Sequence, residues 1–154
     1  MPKGNEIVVT SNPKGMFLEG TIQDTSLPGT IMQIKAATKF VSGRPSWISA
    51  NVGTNGKQAL HAVLLPDNLQ GKTTSDAYVS GTRCFLYVPI SGEELNVLCG
   101  ISGSVTFAIG DRLMLYSGSG ILTADSGSPQ QTSWVAMEAI TVSSAPGLVY
   151  CMRL

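Results

Sequence analysis

The chain has 154 residues, room for one core and normally one domain. Only 13% of them are charged, against roughly 25% in an ordinary soluble domain. Ten basic and ten acidic residues give a formal net charge of zero, with Lys and Arg scattered from Lys3 to Arg153, so the basic stripe of a nucleic-acid binder is excluded and association with other protein is favoured.

From the N-terminus, residues 1–28 read as an extended arm with two short apolar runs, Ile7, Val8 and Val9 and then Met16, Phe17 and Leu18, separated by SNPKG. Residues 29–154 read as a single β domain. GTIMQIK from Gly29 is a half-alternating strand, and Phe40, Val41, Trp47 and Ile48 flank an SGRPS turn, with Trp47 expected at an exposed edge. NVGTNG is turn chemistry. KQALHAVLL reads as a strand, with two helical turns as the open alternative, and the polar loop PDNLQGKTTSD follows it.

From Ala77 onward AYVSG, TRCFLYVPI, SGEELNVLCG, SVTFAIG and GDRLMLY are runs of four to eight residues bounded by Gly, Pro or Ser. SGSG, ILTAD, WVAMEAITV, SSAPG and LVYCMRL then alternate turn and strand to Leu154. The pattern predicts an all-β fold, a small antiparallel barrel or jelly-roll-like sandwich. On the last strand Val149 and Cys151 face one way and Leu148, Tyr150, Met152 and Leu154 the other, so both faces are apolar and both require cover. Trp134 is expected in the core.

Cys84, Cys99 and Cys151 are widely spaced inside apolar runs, which predicts buried free thiols and neither a disulfide framework nor a zinc site. No secretory leader opens the chain and no apolar run reaches a membrane-spanning length, so synthesis in a cytoplasm and no membrane partner are expected. Catalytic residues, metal ligands and cofactors are all expected to be none. His61 sits in an apolar run and reads as a core or interface residue. Glu93 and Glu94 read as solvated turn charges that face opposite ways and so cannot act as a pair. GSGI at Gly118 lacks the helix and lysine of a phosphate loop.

The blocks AYVSGTRCFLYVPISGEELNVL, FAIGDRLMLYSGSGILTAD and WVAMEAITVSSAPGLVYCMRL resemble, in pattern, the head decoration or cement proteins of tailed bacteriophages. The resemblance spans Gly29 to Leu154 and places Pro28 and Gly29, Tyr87 to Pro89, Gly110 to Leu113 and Ala136 to Glu138 in the β domain. It implies a homotrimer on the outside of a capsid that bridges capsomers and stabilises the shell, with the major capsid protein as partner. On that expectation the capsid or subunit interface is carried by Ile7, Val8, Val9, Met16, Phe17, Leu18 and Trp47, the arm adding to a sheet edge through main-chain hydrogen bonds. The alternatives are another virion module, such as a tail adaptor, spike or fibre base, and a small sugar-binding or hydrolytic sandwich in which His61, Asp67 and Glu93 or Glu94 meet in one pocket.

Overall fold

Successive side chains on a strand point to opposite faces, and in this protein both faces of one set of strands are buried. The computed structural model describes residues 13–36, 48–52, 60–116, 119–124 and 134–154. Twelve strands run in chain order through them: Met16–Ile22 (β1), Ile31–Ala36 (β2), Ile48–Val52 (β3), Leu60–Leu65 (β4), Arg83–Val88 (β5), Glu94–Cys99 (β6), Val105–Phe107 (β7), Arg112–Tyr116 (β8), Ile121–Ala124 (β9), Trp134–Ala136 (β10), Ile140–Val142 (β11) and Gly147–Arg153 (β12). The all-β expectation holds. The strands close into two five-membered barrels, β1-β3-β2-β4-β5 and β10-β12-β6-β9-β8, with β7 and β11 as a separate two-stranded antiparallel sheet. This differs from the two facing sheets of a jelly roll. Each ring is antiparallel except for one parallel contact, β1 with β3 and β6 with β9.

One expectation is corrected. Met16–Leu18 is not part of an extended arm: β1 pairs with β5 over six consecutive residues and joins β3 on its other side. Its main-chain bonds are made within the chain, and an isolated Ser26–Tyr78 bridge ties the following loop to the same barrel. Within KQALHAVLL the described residues form the expected strand and not the helical alternative, β4 being hydrogen-bonded to β2 and to β5. Ile7, Val8, Val9 and Trp47 lie outside the described residues.

The first barrel is filled by Ile22, Met32, Ala62, Leu64, Cys84 and Leu86, with Tyr78 closing it and Leu18, Ile34 and Val88 packed alongside. The residues beside these in sequence, Ile31, Val63 and Tyr87, belong to the other core, together with Leu95, Val97, Cys99, Leu113, Leu122, Trp134, Val149 and Cys151. They form a straight row: Ile31 is opposite Val63, and Val63 is opposite Tyr87. The inner face of β2, β4 and β5 therefore fills one barrel while the outer face packs on the interior of the second. Phe107 and Val142, from β7 and β11, join this second core.

Backbone bonds join the barrels where Gly29 enters β2. Its carbonyl accepts from Leu98 N–H at 3.0 Å, and Ile31 N–H donates to the Gly120 carbonyl at 2.7 Å. Gly29 is in the left-handed region (φ +91°), and a Cβ there would lie 2.6 Å from Leu148 Cδ2. Leu148 belongs to the outward face of β12, so the strand that needed cover on both sides is covered here by the chain's own junction. Gly110 has the same φ of +91°, but a Cβ there meets nothing within 4 Å among the described residues. Gly110→Ala is expected to cost about 1–2 kcal/mol, the left-handed penalty alone. Gly29→Ala should add about 1–3 kcal/mol of overpacking to that. Urea unfolding of the two variants checks it, and equal losses would show that the Gly29 contact is unimportant.

Candidate functional site

The turn from Pro89 to Glu93 connects the last strand of the first barrel to the first strand of the second, and it carries a buried carboxylate. Glu93 was expected in solvent; it is 9% exposed. Its Oε1 accepts the Ile90 N–H at 2.9 Å, and its Oε2 accepts the Lys14 N–H at 3.1 Å and the Tyr87 hydroxyl. Gly15 N–H in turn donates to the Tyr87 oxygen at 2.5 Å. On the backbone, Gly92 N–H donates to the Arg153 carbonyl at 2.6 Å and Arg153 N–H donates to the Glu93 carbonyl at 2.8 Å. One turn thus holds the segment leading into β1, the inter-barrel connection and the end of β12.

The electrostatics follow from the donors. Burial alone would raise the Glu93 carboxyl, but the hydrogen bonds from Ile90, Tyr87, Lys14 and Gly15 outweigh it and hold the group below the usual carboxylate range. The Tyr87 phenol is raised by burial and by donating to that carboxylate. Gly15 leaves no room for a side chain, because a Cβ there would sit 2.0 Å from the Val88 carbonyl oxygen and 2.9 Å from the Tyr87 hydroxyl. The adjacent Glu94 was expected to face away from Glu93, but both line one cleft, and Glu94 has a partner of its own. It accepts the Tyr150 hydroxyl, and this bond followed by burial pushes the phenol up to about 12.

Around this turn opens a cleft of about 340 Å³ lined by Lys14, Ile90, Ser91, Gly92, Glu93, Glu94 and Tyr150. His61 and Asp67 are absent from it. They lie toward opposite ends of β4, so the convergence that a hydrolytic or sugar-binding reading requires does not occur. Asp67 is buried beyond the strand, with its Oδ1 lacking a hydrogen-bond partner among the described residues. His61 is half-buried on the outer face of the first barrel; burial and the nearby Arg153 guanidinium lower its pKa, and its Nε2 also lacks a partner there. Among the described residues no group of three or more His, Cys, Asp or Glu is placed to hold a metal ion.

The three cysteines are buried and free, and Trp134 is in the core, both as expected. Burial raises the Cys84 thiol to about 12, and Cys99 is raised as well by burial and by its contact with Cys151 at 3.8 Å. Of the expected interface residues, the structure describes Met16, Phe17 and Leu18. Met16 and Phe17 are exposed at the start of β1, the Phe17 ring lying 4.8 Å from that of Tyr87, whereas Leu18 packs against the first barrel's core. The sequence carried no local signal for the Glu93 clamp, since Glu93 and Lys14 are 79 residues apart.

A depressed carboxylate stabilises the fold above its unfolded pKa, and that contribution is lost as pH falls through the lower folded value. Glu93→Gln should therefore lose about 1–3 kcal/mol at pH 7. The gap from the wild type should close as pH drops below about 4.5, which urea unfolding at stepped pH would reveal; a constant gap would mean the charge is not what stabilises the turn. For His61 the sign is set by a folded pKa lowered from 6.5. The unfolded chain takes up the proton first, so stability should fall as pH drops below about 6.5, and His61→Gln should flatten the unfolding midpoint in that window.

No protein family and no curated protein matches the chain in sequence. Among solved structures eight chains match in fold. One is the N base of the head fibre gp8.5 of bacteriophage phi29, with a TM-score of 0.57 and 9% sequence identity, the match covering 92% of this chain and 95% of that one. The chain shares its fold with that fibre base over nearly the whole length of both.

Proposed function

We propose that the protein is a structural part of a tailed-bacteriophage virion, seated on the outside of the head and acting by binding alone. The observation that carries this is the shared fold with a phage head-fibre base across 92% of the chain. A base has to hold one rigid shape under load, and the joined barrels supply it: apolar contacts and main-chain bonds link them, and their connecting turn is clamped. In the cleft beside it, the Glu93 carboxylate is occupied by the chain's own donors, which fits a structural role for this group.

In this reading the protein is made in the host cytoplasm, joins the capsid surface, has the major capsid protein as its partner and acts as a homotrimer. A shell-bridging role as a cement protein is the second form of the reading, favoured by the charge-poor composition, 13% against roughly 25% in ordinary domains. Both forms predict co-sedimentation with heads assembled from the major capsid protein of the same virion. The cement role further predicts that saturating amounts raise the shell's melting temperature, while a fibre base binds at fewer sites and leaves it unchanged. Absence from the head pellet at micromolar concentrations would reject both.

A further inference from the structure

Strand β1 is paired unequally on its two edges. Toward β5 it is paired from Met16 to Thr21, but toward β3 only at Thr21 and Ile22. Among the described residues no strand lies beside Met16–Gly20 on that second edge. In an antiparallel pair every second residue turns its N–H and C=O away from the partner, so this edge offers main-chain donors and acceptors to another strand. The side chains there are also uncovered: Met16 is 51% and Phe17 57% exposed, and Leu18 is half-buried. Phe17 ends a cross-strand row, Ile31, Val63, Tyr87 and Phe17, whose first three members are at most 1% exposed.

The chain itself carries a segment that fits this edge. The described residues begin at Pro13, and the residues before it include Ile7, Val8, Val9 and Thr10, a run of β-branched side chains. Ser11, Asn12, Pro13, Lys14 and Gly15 separate that run from β1. Asn12, Pro13 and Gly15 stand at the first, second and fourth places of a β-turn, the places that favour those residue types, and the chain bends at Gly15. Two strand-like runs separated by five residues that include a glycine are the pattern of a hairpin. With those five as the loop, Thr10 falls opposite Met16, Val9 opposite Phe17 and Val8 opposite Leu18. Cross-strand partners share a face, so Val9 would continue the buried row beyond Phe17, and Val8 would join Leu18, which packs on the first barrel's core. A strand in that place needs apolar side chains on both faces, and Ile7–Val9 shows no polar alternation. We propose that residues 7–10 pair antiparallel with this edge of β1 and cover Phe17 from within the same chain. The short tether selects this occupant over a second copy, because a segment on a short linker acts at an effective concentration of about millimolar. The apolar run is then committed to the fold, which leaves contact with a head to other surfaces; the proposal stands apart from the virion reading.

Paired cysteines in the full chain test the register. Direct cross-strand partners lie within disulfide reach, whereas residues one place out of register point to opposite faces and cannot be bridged. Val9→Cys with Phe17→Cys is expected to lose both introduced thiols on treatment with oxidised glutathione and to keep the monomer mass. Val8→Cys with Phe17→Cys should keep both thiols under the same treatment. The native cysteines, all 0% exposed, should stay reduced in either variant. Pairs that both stay open, or that close equally, overturn the proposal, and so does closure into covalent dimers, which would assign the edge to a second copy. Because Phe17→Cys removes a ring that touches Tyr87, amide hydrogen exchange on a chain that keeps Phe17 supplies a second readout. Val8→Pro combined with Val9→Pro breaks the added strand, and the Met16–Glu19 amides that face away from β5 should then exchange about tenfold faster or more. Unchanged exchange there, or an increase shared equally by β5, overturns the proposal.

Discussion

The fold depends on one sheet segment being used twice. Strands β2, β4 and β5 turn Met32, Ala62, Leu64, Cys84 and Leu86 inward and Ile31, Val63 and Tyr87 outward, and neither set reaches water. Burying each of the three outward side chains is worth roughly 1.5–3 kcal/mol, so the row contributes on the order of 5–9 kcal/mol. That is comparable to the whole net stability of a typical domain, about 5–15 kcal/mol. The second barrel's core is incomplete without the first, since it includes residues of the first. The two rings form one cooperative unit whose relative placement is fixed by side-chain packing.

The Glu93 clamp is the polar counterpart of that row. A buried ionised carboxylate is unfavourable unless donors surround it, and here two backbone N–H groups and a phenol do so directly. Hydrogen bonds to charged groups contribute about 1.5–3 kcal/mol each, and losing one partner leaves the rest buried and unmatched. The geometry has a consequence for the chain path. Lys14, the barrel connection and Arg153 are held within one turn, so strain applied to any of the three is shared by both barrels.

Much of the strand pattern was legible in the sequence, because period-two alternation and Gly or Pro punctuation are local. GTIMQIK, CFLYV, ELNVLC, LMLY and LVYCMR all became strands near the expected bounds. β1 was hidden because its first four residues, MFLE, show no alternation and prolines and glycines lie on either side; its exposed start comes from lying at the rim of the barrel. Two rings could not be told from one sandwich, since the parallel contacts joining β1 to β3 and β6 to β9 are non-local and leave no mark on either strand alone. Glu93 looked like a solvated turn charge for the same reason: its burial comes from Tyr87 across the turn and from Lys14, far away in sequence.

Thiolates are the reactive form of cysteine, and the Cys84 thiol, raised to about 12, holds none at neutral pH; the Cys99 thiol is shifted the same way. Burial lowers the pKa of the half-buried His61, and the Glu93 carboxylate is held by internal donors. Among the described residues, the exposed apolar side chains of Met16, Phe17, Ile90 and Leu154 lie on the segments that the Glu93 turn ties together. A rigid backing of this kind lowers the ordering cost of any contact made there.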